Sequence, residues 1–354
     1  MELHDFDEST LDSAKIIVRE RFGERACSLL SRYLQNPLRK VCHSVGDIVS
    51  RDGVPMAFQA ANPRWLYLRK EKILGTNGSL FCKMPGAKLK EVLTVFLRTI
   101  GNRAGRKIYF GNTAIPVSGG VGVASNMSIG PTSCEKVRFG IIRLGSFLNF
   151  MLRGHLPRFF VNIIDAIWLC GVSVLGKMKI DGHIKQVTSL DEIDIDGFWT
   201  RYVERNNGLV CSRTKEELLW VFGDNLRQGN VCMFAYIAED SLLGYIAIKC
   251  QRIQTRCRWM VVDWIAIDDN PSVLSRLLEA VQGFLRTVPG AAFVELIGYP
   301  MFIQDVVKKS FPFCRKAPGN SFNYLIDDES FGREFAAVRD ISWFFGAYDG
   351  DRCM

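Results

Sequence analysis

Apolar side chains recur along this chain with two periods. Over residues 87–100 (AKLKEVLTVFLRTI) the spacing is helical and predicts Leu89, Val92, Leu93, Phe96 and Leu97 on one face. Over residues 272–288 (SVLSRLLEAVQGFLRTV) it does the same for Leu274, Leu277, Leu278, Val281 and Leu285. Each helix carries the tetrapeptide FLRT near its end, then a breaker (GNRAG or PG), then a short strand-like run (KIYF or AFVEL). Upstream, VSRDGVPMAF and YIAEDSLLGYIAI lie opposite one another, so that Asp52-Gly53 and Asp240-Ser241 precede their FLRT by the same distance. Both read as strand, tight turn, strand. Further strands are expected in RWLYLRK and SLFCK, and in RCRWMVV and WIAI. The pattern predicts one α+β unit built twice: several antiparallel strands, a helix, a strand, then a short helical or loop segment.

A length of 354 residues suits two domains better than one core. With 48% hydrophobic and 23% charged residues, the chain is globular in composition. The net charge of +8 suits an acidic partner, such as a phosphorylated cofactor, an acidic carrier protein or an anionic membrane surface. No dense Lys/Arg run interleaved with aromatics occurs, which argues against nucleic acid. The eleven cysteines form no C-x-x-C and no zinc-type Cys/His spacing, and no signal peptide opens the chain. They read as buried thiols in a reducing cytoplasm, and no metal is expected. His4, His43, His155 and His183 fall in no catalytic motif. SGGVGVAS at residues 118–125 reads as a turn, and the NGS at Asn77 is a glycosylation pattern without meaning in a cytoplasmic setting.

Residues 144–179 separate the halves. The apolar run 159–175 is short for a membrane span and includes Asn162 and Asp165. A linker helix packed across two domains is the favoured reading. Because Arg153, Arg158, Lys177 and Lys179 flank the run, an interfacial helix on an anionic leaflet is the alternative.

The element order resembles that of the Gcn5-related N-acetyltransferase (GNAT) superfamily. In the second half GLVCSRTKEELLWVF matches the opening segment, MFAYIAEDSLLGYIAIK the first hairpin and RWMVVDWIAI the central strand. DDNPSVLSRLLEAVQGFLR then matches the cofactor loop and helix, FVELIGYP the next strand, and FIQDVVKKSFPF the terminal helix. SLFCKMPGAKLKEVLTVFLR and IYFGNTAIP give the first half a similar outline. Together they resemble tandem GNAT-like proteins encoded with bacterial surface-polysaccharide genes. The resemblance implies two mixed, mostly antiparallel sheets flanked by helices: residues 1–154, a helical linker 155–185, a second domain 186–330 and a tail 331–354.

It also implies acyl transfer from acetyl-CoA, another acyl-CoA or an acyl carrier protein to an amine such as an amino sugar. The expected setting is the cytoplasm, peripheral to the inner membrane where the interfacial helix applies. A non-catalytic GNAT-like binding module and a Fem-type aminoacyl transferase using charged tRNA are the other readings.

The superfamily holds the CoA pyrophosphate on a [QR]-x-x-G-x-[GA] loop, whose amides cap the following helix. Neither half keeps that loop intact. KMPGAK retains Gly86 and Ala87 with Lys83, Met84 and Lys88, and is the better cradle; Asn112 matches a position that often touches the cofactor. DDNPSV has no glycine and offers Asp268 and Asp269, which repel phosphate. Acid–base candidates fall instead in the second half. Asp263 on the central strand and Glu295 on the next are lone carboxylates in apolar runs, where a charge must be paired or put to use, and Tyr299 follows as a candidate acid. Pairing with arginines such as Arg256 and Arg258 is the structural alternative for both carboxylates. In the first half the matching strands offer only Cys82, Lys83 and Tyr109, so a division of labour between donor and acceptor domains is expected.

Overall fold

The computed structural model describes residues 1–42, 44–101, 105–114, 127–129, 136–175, 182–253, 256–297, 303–316, 321–326, 328–338 and 343–344. The first half opens with β1 (Glu2–Asp5), α1 (Leu11–Phe22) and α2 (Glu24–Leu34). A meander of β2 (Gly46–Arg51), β3 (Val54–Leu68) and β4 (Glu71–Lys83) follows, then α3 (Leu89–Gly101) and β5 (Arg106–Ala114). The half ends in β6 (Ser128–Ile129) and β7 (Lys136–Ile141). A hairpin of α4 (Leu144–Met151) and α5 (Arg158–Leu175) leads to β8 (Ile184–Val187). The second half then runs α6 (Ile195–Arg205), β9 (Leu209–Cys211), α7 (Lys215–Arg227), β10 (Val231–Ala238), β11 (Ser241–Ile253) and β12 (Arg256–Ala266). It closes with α8 (Pro271–Thr287), β13 (Ala291–Ile297), α9 (Gln304–Ser310), β14 (Phe313–Lys316), β15 (Ser321–Leu325), α10 (Glu329–Val338) and β16 (Trp343–Phe344).

These strands form two sheets. One has the order β1-β2-β3-β4-β5-β15-β6, with β9 on the end of β3 and β16 beside β9; the other is β14-β7-β13-β12-β11-β10-β8. On both paths the pairing is antiparallel except at β4–β5 and β12–β13, which are parallel. A parallel neighbour needs a crossover, and α3 and α8 supply it. Each sheet also borrows a strand from the other half: β7 pairs with β13 and β14, while β15 pairs with β5 and β6. One buried cluster joins Phe110 and Val137 of the first half to Tyr245, Leu296 and Tyr324 of the second.

Local chemistry accounts for much of this. The β2–β3 turn is Asp52-Gly53, both at positive φ. The β10–β11 turn is Glu239-Asp240, also both positive, one residue earlier than expected because Ser241 already pairs in β11. Such two-residue turns match the twist of a hairpin. The runs expected as separate strands fuse into longer ones, PMAF with RWLYL in β3 and RWMVV with WIA in β12.

In α8 the expected stripe is buried throughout. In α3 the buried face is Val92, Val95, Phe96, Thr99 and Ile100, whereas Leu89 and Leu97 are exposed. Polar anchors set that rotation: Thr99 Oγ1 donates to Asp47 Oδ2 (2.7 Å) and Arg51 pairs with buried Glu91 (3.1 Å). The two FLRT segments are therefore out of phase, since Phe96 and Thr99 face inward in α3 but Leu285 does so in α8.

Candidate functional site

Each sheet opens at the same place. The β4–β5 ladder runs from Leu74/Arg106 to Asn77/Phe110 and stops there, although both strands continue. On the other side of β4, the register steps from Phe58/Cys82 to Ala60/Ser79, so β4 has one extra residue. Leu80 takes up the kink at φ 47°. A bulge of this kind bends its strand and releases backbone groups from the ladder. The second sheet repeats the device, with β12–β13 pairing that stops at Val261/Leu296 and an extra residue between Val261 and Asp263 opposite β11.

The loop leaving β4 has Gly86 at φ 83°, a value few side chains tolerate, and Arg51 Nη2 reaches the Gly86 carbonyl oxygen. Lys83, Lys88 and Lys90 stand exposed around it. Lys88 precedes α3, and its amide donates to Glu91 Oε2 (2.6 Å), half of a capping box. A lysine side chain has no acceptor to cap the first turn; the Glu91 amide bonds back to the Lys88 carbonyl oxygen (3.0 Å), which leaves the Leu89 and Lys90 amides at the positive end of the helix. The matching end of α8 is closed. Asn270 Oδ1 accepts from the Ser272 and Val273 amides, and Pro271 brings no N–H. Ahead of it, Asp268 pairs with Arg205 (2.9 Å) and Asp269 accepts from Tyr202 Oη (3.0 Å). These residues, with Asn206, Asn207 and Gly208, line a polar pocket of about 300 Å³. Burial pushes the Asp269 carboxyl up to about 6, against the hydrogen bond from Tyr202.

Below the opening of the first sheet lies a set of buried polar side chains. On one face Gln59 Nε2 donates to Tyr109 Oη, which stands over Gly78 so closely that a Cβ there would fall 1.8 Å from the hydroxyl oxygen. On the other face Ser79 Oγ donates to Tyr33 Oη (3.2 Å) and accepts from Asn62 Nδ2 (3.1 Å), with Asn77 opposite Asn62. Gln59 Oε1, Asn62 Oδ1, Thr76 Oγ1 and Asn77 Nδ2 are buried with no hydrogen-bond partner. Groups in that condition mark a place where water or a ligand completes the bonding. Asn77-Gly78-Ser79 is thus an interior stretch of β4, and buried Asn77 is no glycan acceptor. Apart from Tyr109 and Asn77, these residues give no signal in the sequence, because isolated polar side chains within strands form no motif.

No protein-family model matches the chain, and no curated protein matches it either. Solved structures do. A GCN5-related N-acetyltransferase from Anabaena variabilis ATCC 29413 aligns over 93% of this chain and 73% of its own at TM-score 0.56 and 10% identity. One from Kribbella flavida aligns over 93% and 71% at 0.56 and 13%. Saccharomyces cerevisiae N-myristoyltransferase with bound myristoyl-CoA aligns over 91% and 78% at 0.51 and 12%. The chain has the GNAT fold. Its two sheets, each with a bulged strand parting from a parallel neighbour, are α+β with mixed pairing, as the sequence pattern implied.

Within that fold the structure separates the predicted site residues. Lys83, Met84, Gly86, Ala87 and Lys88 lie together on the loop between β4 and α3. Asn112 is in β5, with its side chain outside the described residues, as are Tyr299, His43 and residues 118–125. Asp263 and Glu295 lie on neighbouring strands of the second sheet, each with its own arginines. Asp263 accepts from Arg213 Nε (3.1 Å to each oxygen) and Nη2 (3.0 Å), and from Tyr245 Oη (2.6 Å). Glu295 faces Arg315 (2.8 Å) and Arg258 (3.3 Å). Arg213 precedes α7 and Arg315 lies on β14, so neither partner is near its carboxylate in sequence.

Proposed function

We propose that this protein transfers an acyl group from a CoA or carrier-protein thioester to an amine, with the donor held by the first half. The observation that carries this reading is the asymmetry between the two openings. The first leads into a glycine-hinged loop with three exposed lysines and an α3 terminus preceded by Lys88, whose side chain cannot cap it. The second leads into two aspartates and a helix end already capped. Pyrophosphate suits the former and is repelled by the latter.

In this reading the thioester lies in the gap between β4 and β5, and amides freed by the bulge at Leu80 face its carbonyl oxygen. The neutral amine nitrogen bonds to the carbonyl carbon and the C–S bond breaks; the thiolate takes a proton from Tyr109, oriented by Gln59, and the proton lost by the nitrogen passes to the tyrosinate and restores it. The unsatisfied amides of Asn62 and Asn77 supply hydrogen bonds to a polar acceptor, consistent with an amino sugar. The arginines around Asp263 and Glu295 favour a structural role for both. A cytoplasmic setting, where acyl thioesters are made, fits this chemistry.

Thiol release from acyl-CoA in the presence of an amine panel tests the proposal. Tyr109→Phe is expected to lower kcat by about a hundredfold at unchanged donor affinity. Lys88→Glu is expected to weaken donor binding about tenfold at low salt, less at high salt. That neither KMPGAK nor DDNPSV keeps the [QR]-x-x-G-x-[GA] loop favours a second reading, a module that binds the donor without turnover. Donor binding with no thiol release from any amine would establish that reading instead.

A further inference from the structure

Seven of the sixteen large apolar side chains that stand exposed among the described residues fall between residues 148 and 167: Leu148, Met151, Leu152, Phe159, Phe160, Ile163 and Ile167. They lie on the α4–α5 hairpin, which packs on the start of β13. In α5 the exposed positions 159, 163, 166, 167 and 170 recur at helical spacing and form one stripe.

The inward side of the hairpin is firmly held. Asp165 accepts from the Ser146 amide (2.9 Å) and hydroxyl (2.6 Å), and Trp168 Nε1 donates to the Ile142 carbonyl (3.1 Å). Gly145 lets the helices touch, since a Cβ there would meet the Val161 carbonyl oxygen at 2.3 Å. Phe147 and Phe150 meet Phe293 of the second sheet edge to face. The outward face is therefore a fixed surface rather than a consequence of loose packing, and among the described residues nothing covers it.

Charge identifies what it fits. Residues 142–175 contain one carboxylate, Asp165, and that is buried. Arg153, His155 and Arg158 are exposed at the hairpin tip, beside Met151, Leu152, Phe159 and Phe160. No helix among the described residues is long and apolar enough to cross a bilayer. An apolar stripe rimmed only by base is the pattern of a helix lying in the headgroup layer of an anionic membrane. A two-fold contact with a second copy would bring the same basic rim against itself.

We propose that the α4–α5 hairpin docks the protein on an anionic lipid surface, with Phe159, Phe160, Ile163 and Ile167 entering the acyl boundary and Arg153 and Arg158 meeting lipid phosphates and carboxylates. This goes beyond acyl transfer and holds whether or not the protein is an enzyme.

Flotation of the full chain with vesicles of phosphatidylcholine alone, or with phosphatidylserine added, tests it. The wild type is expected to float with the mixed vesicles and to be released in part by salt. Ile163→Asp with Ile167→Asp should abolish flotation. Arg153→Glu with Arg158→Glu should weaken it by more than about twentyfold, at about fivefold for each arginine. All four positions are exposed, and an unchanged melting curve confirms folding; the arginine pair gives an independent readout if the aspartates disturb the hairpin. A wild type that stays with the soluble fraction overturns the proposal. So does equal flotation with both vesicle types, or a dimer by sedimentation equilibrium that the Ile163→Asp pair dissociates.

Discussion

Replacing Asp263 by Asn measures what its carboxylate does. Arg213 is fully buried, and Asp263 is its counter-ion through three N–H···O contacts of 3.0–3.1 Å. In the variant one oxygen still accepts, but an amide nitrogen in place of the other sets a donor against Arg213 Nε and takes away the acceptor of Tyr245 Oη. The buried guanidinium loses the charge of Asp263, which costs about 3–5 kcal/mol. The urea midpoint should fall by about 1–2 M, given a slope of about 3 kcal/mol per M, the upper end of the usual range, for a chain of this length. Asp263→Leu with Arg213→Met should recover most of the loss, because an apolar pair of similar volume is no worse than a buried ion pair. Glu295→Gln should cost less, about 1–3 kcal/mol, since Arg258 and Arg315 are partly exposed and can hydrate. A midpoint for Asp263→Asn within about 0.3 M of wild type, together with lost acyl transfer, would refute the structural assignment and return Asp263 to the chemistry.

Gly78→Ala should destabilise by about 1–3 kcal/mol by calorimetry and lower turnover, as its methyl would displace the Tyr109 ring, unless β4 shifts; normal stability and activity would contradict the packing. Burial raises the Asp47 carboxyl from 3.8 to about 6 despite Thr99 and Arg98. The folded state thus holds this proton more tightly than the unfolded one, so its contribution is full below about pH 4 and lost as pH rises through about 6. Asp47→Asn should flatten that decline, worth about 3 kcal/mol at most, in urea titrations across the window.

The α8 stripe and the hairpin turns were legible because they depend on neighbours in sequence. The rotation of α3 was not. Leu89 and Leu97 extend its apolar pattern, but Glu91 and Thr99 find partners on β2, and those long-range polar contacts decide which face is buried. The lysine loop could be read from KMPGAK, since glycine and charge are local signals. The polar set around Gln59, Asn62 and Asn77 could not, because strand alternation records burial poorly where a sheet is covered on both faces. Arg258 was foreseeable as a partner of Glu295, lying on the adjacent strand; Arg315 comes from beyond α9. Nothing local says that VRFGI belongs beside β13.

The borrowed strands tie assembly to synthesis. While the ribosome is still making the chain, β5 has no neighbour on its outer side, because β15 (Ser321–Leu325) is made long after β5 (Arg106–Ala114). Meanwhile β7 has emerged before β13, its partner in the other sheet, exists. The nascent first half therefore holds an unpaired edge and a stray strand until the second half is made, a state open to wrong pairing and a natural client for chaperones. Neither half made alone would be complete. Coexpressed as separate fragments, they should rescue each other by trading these strands.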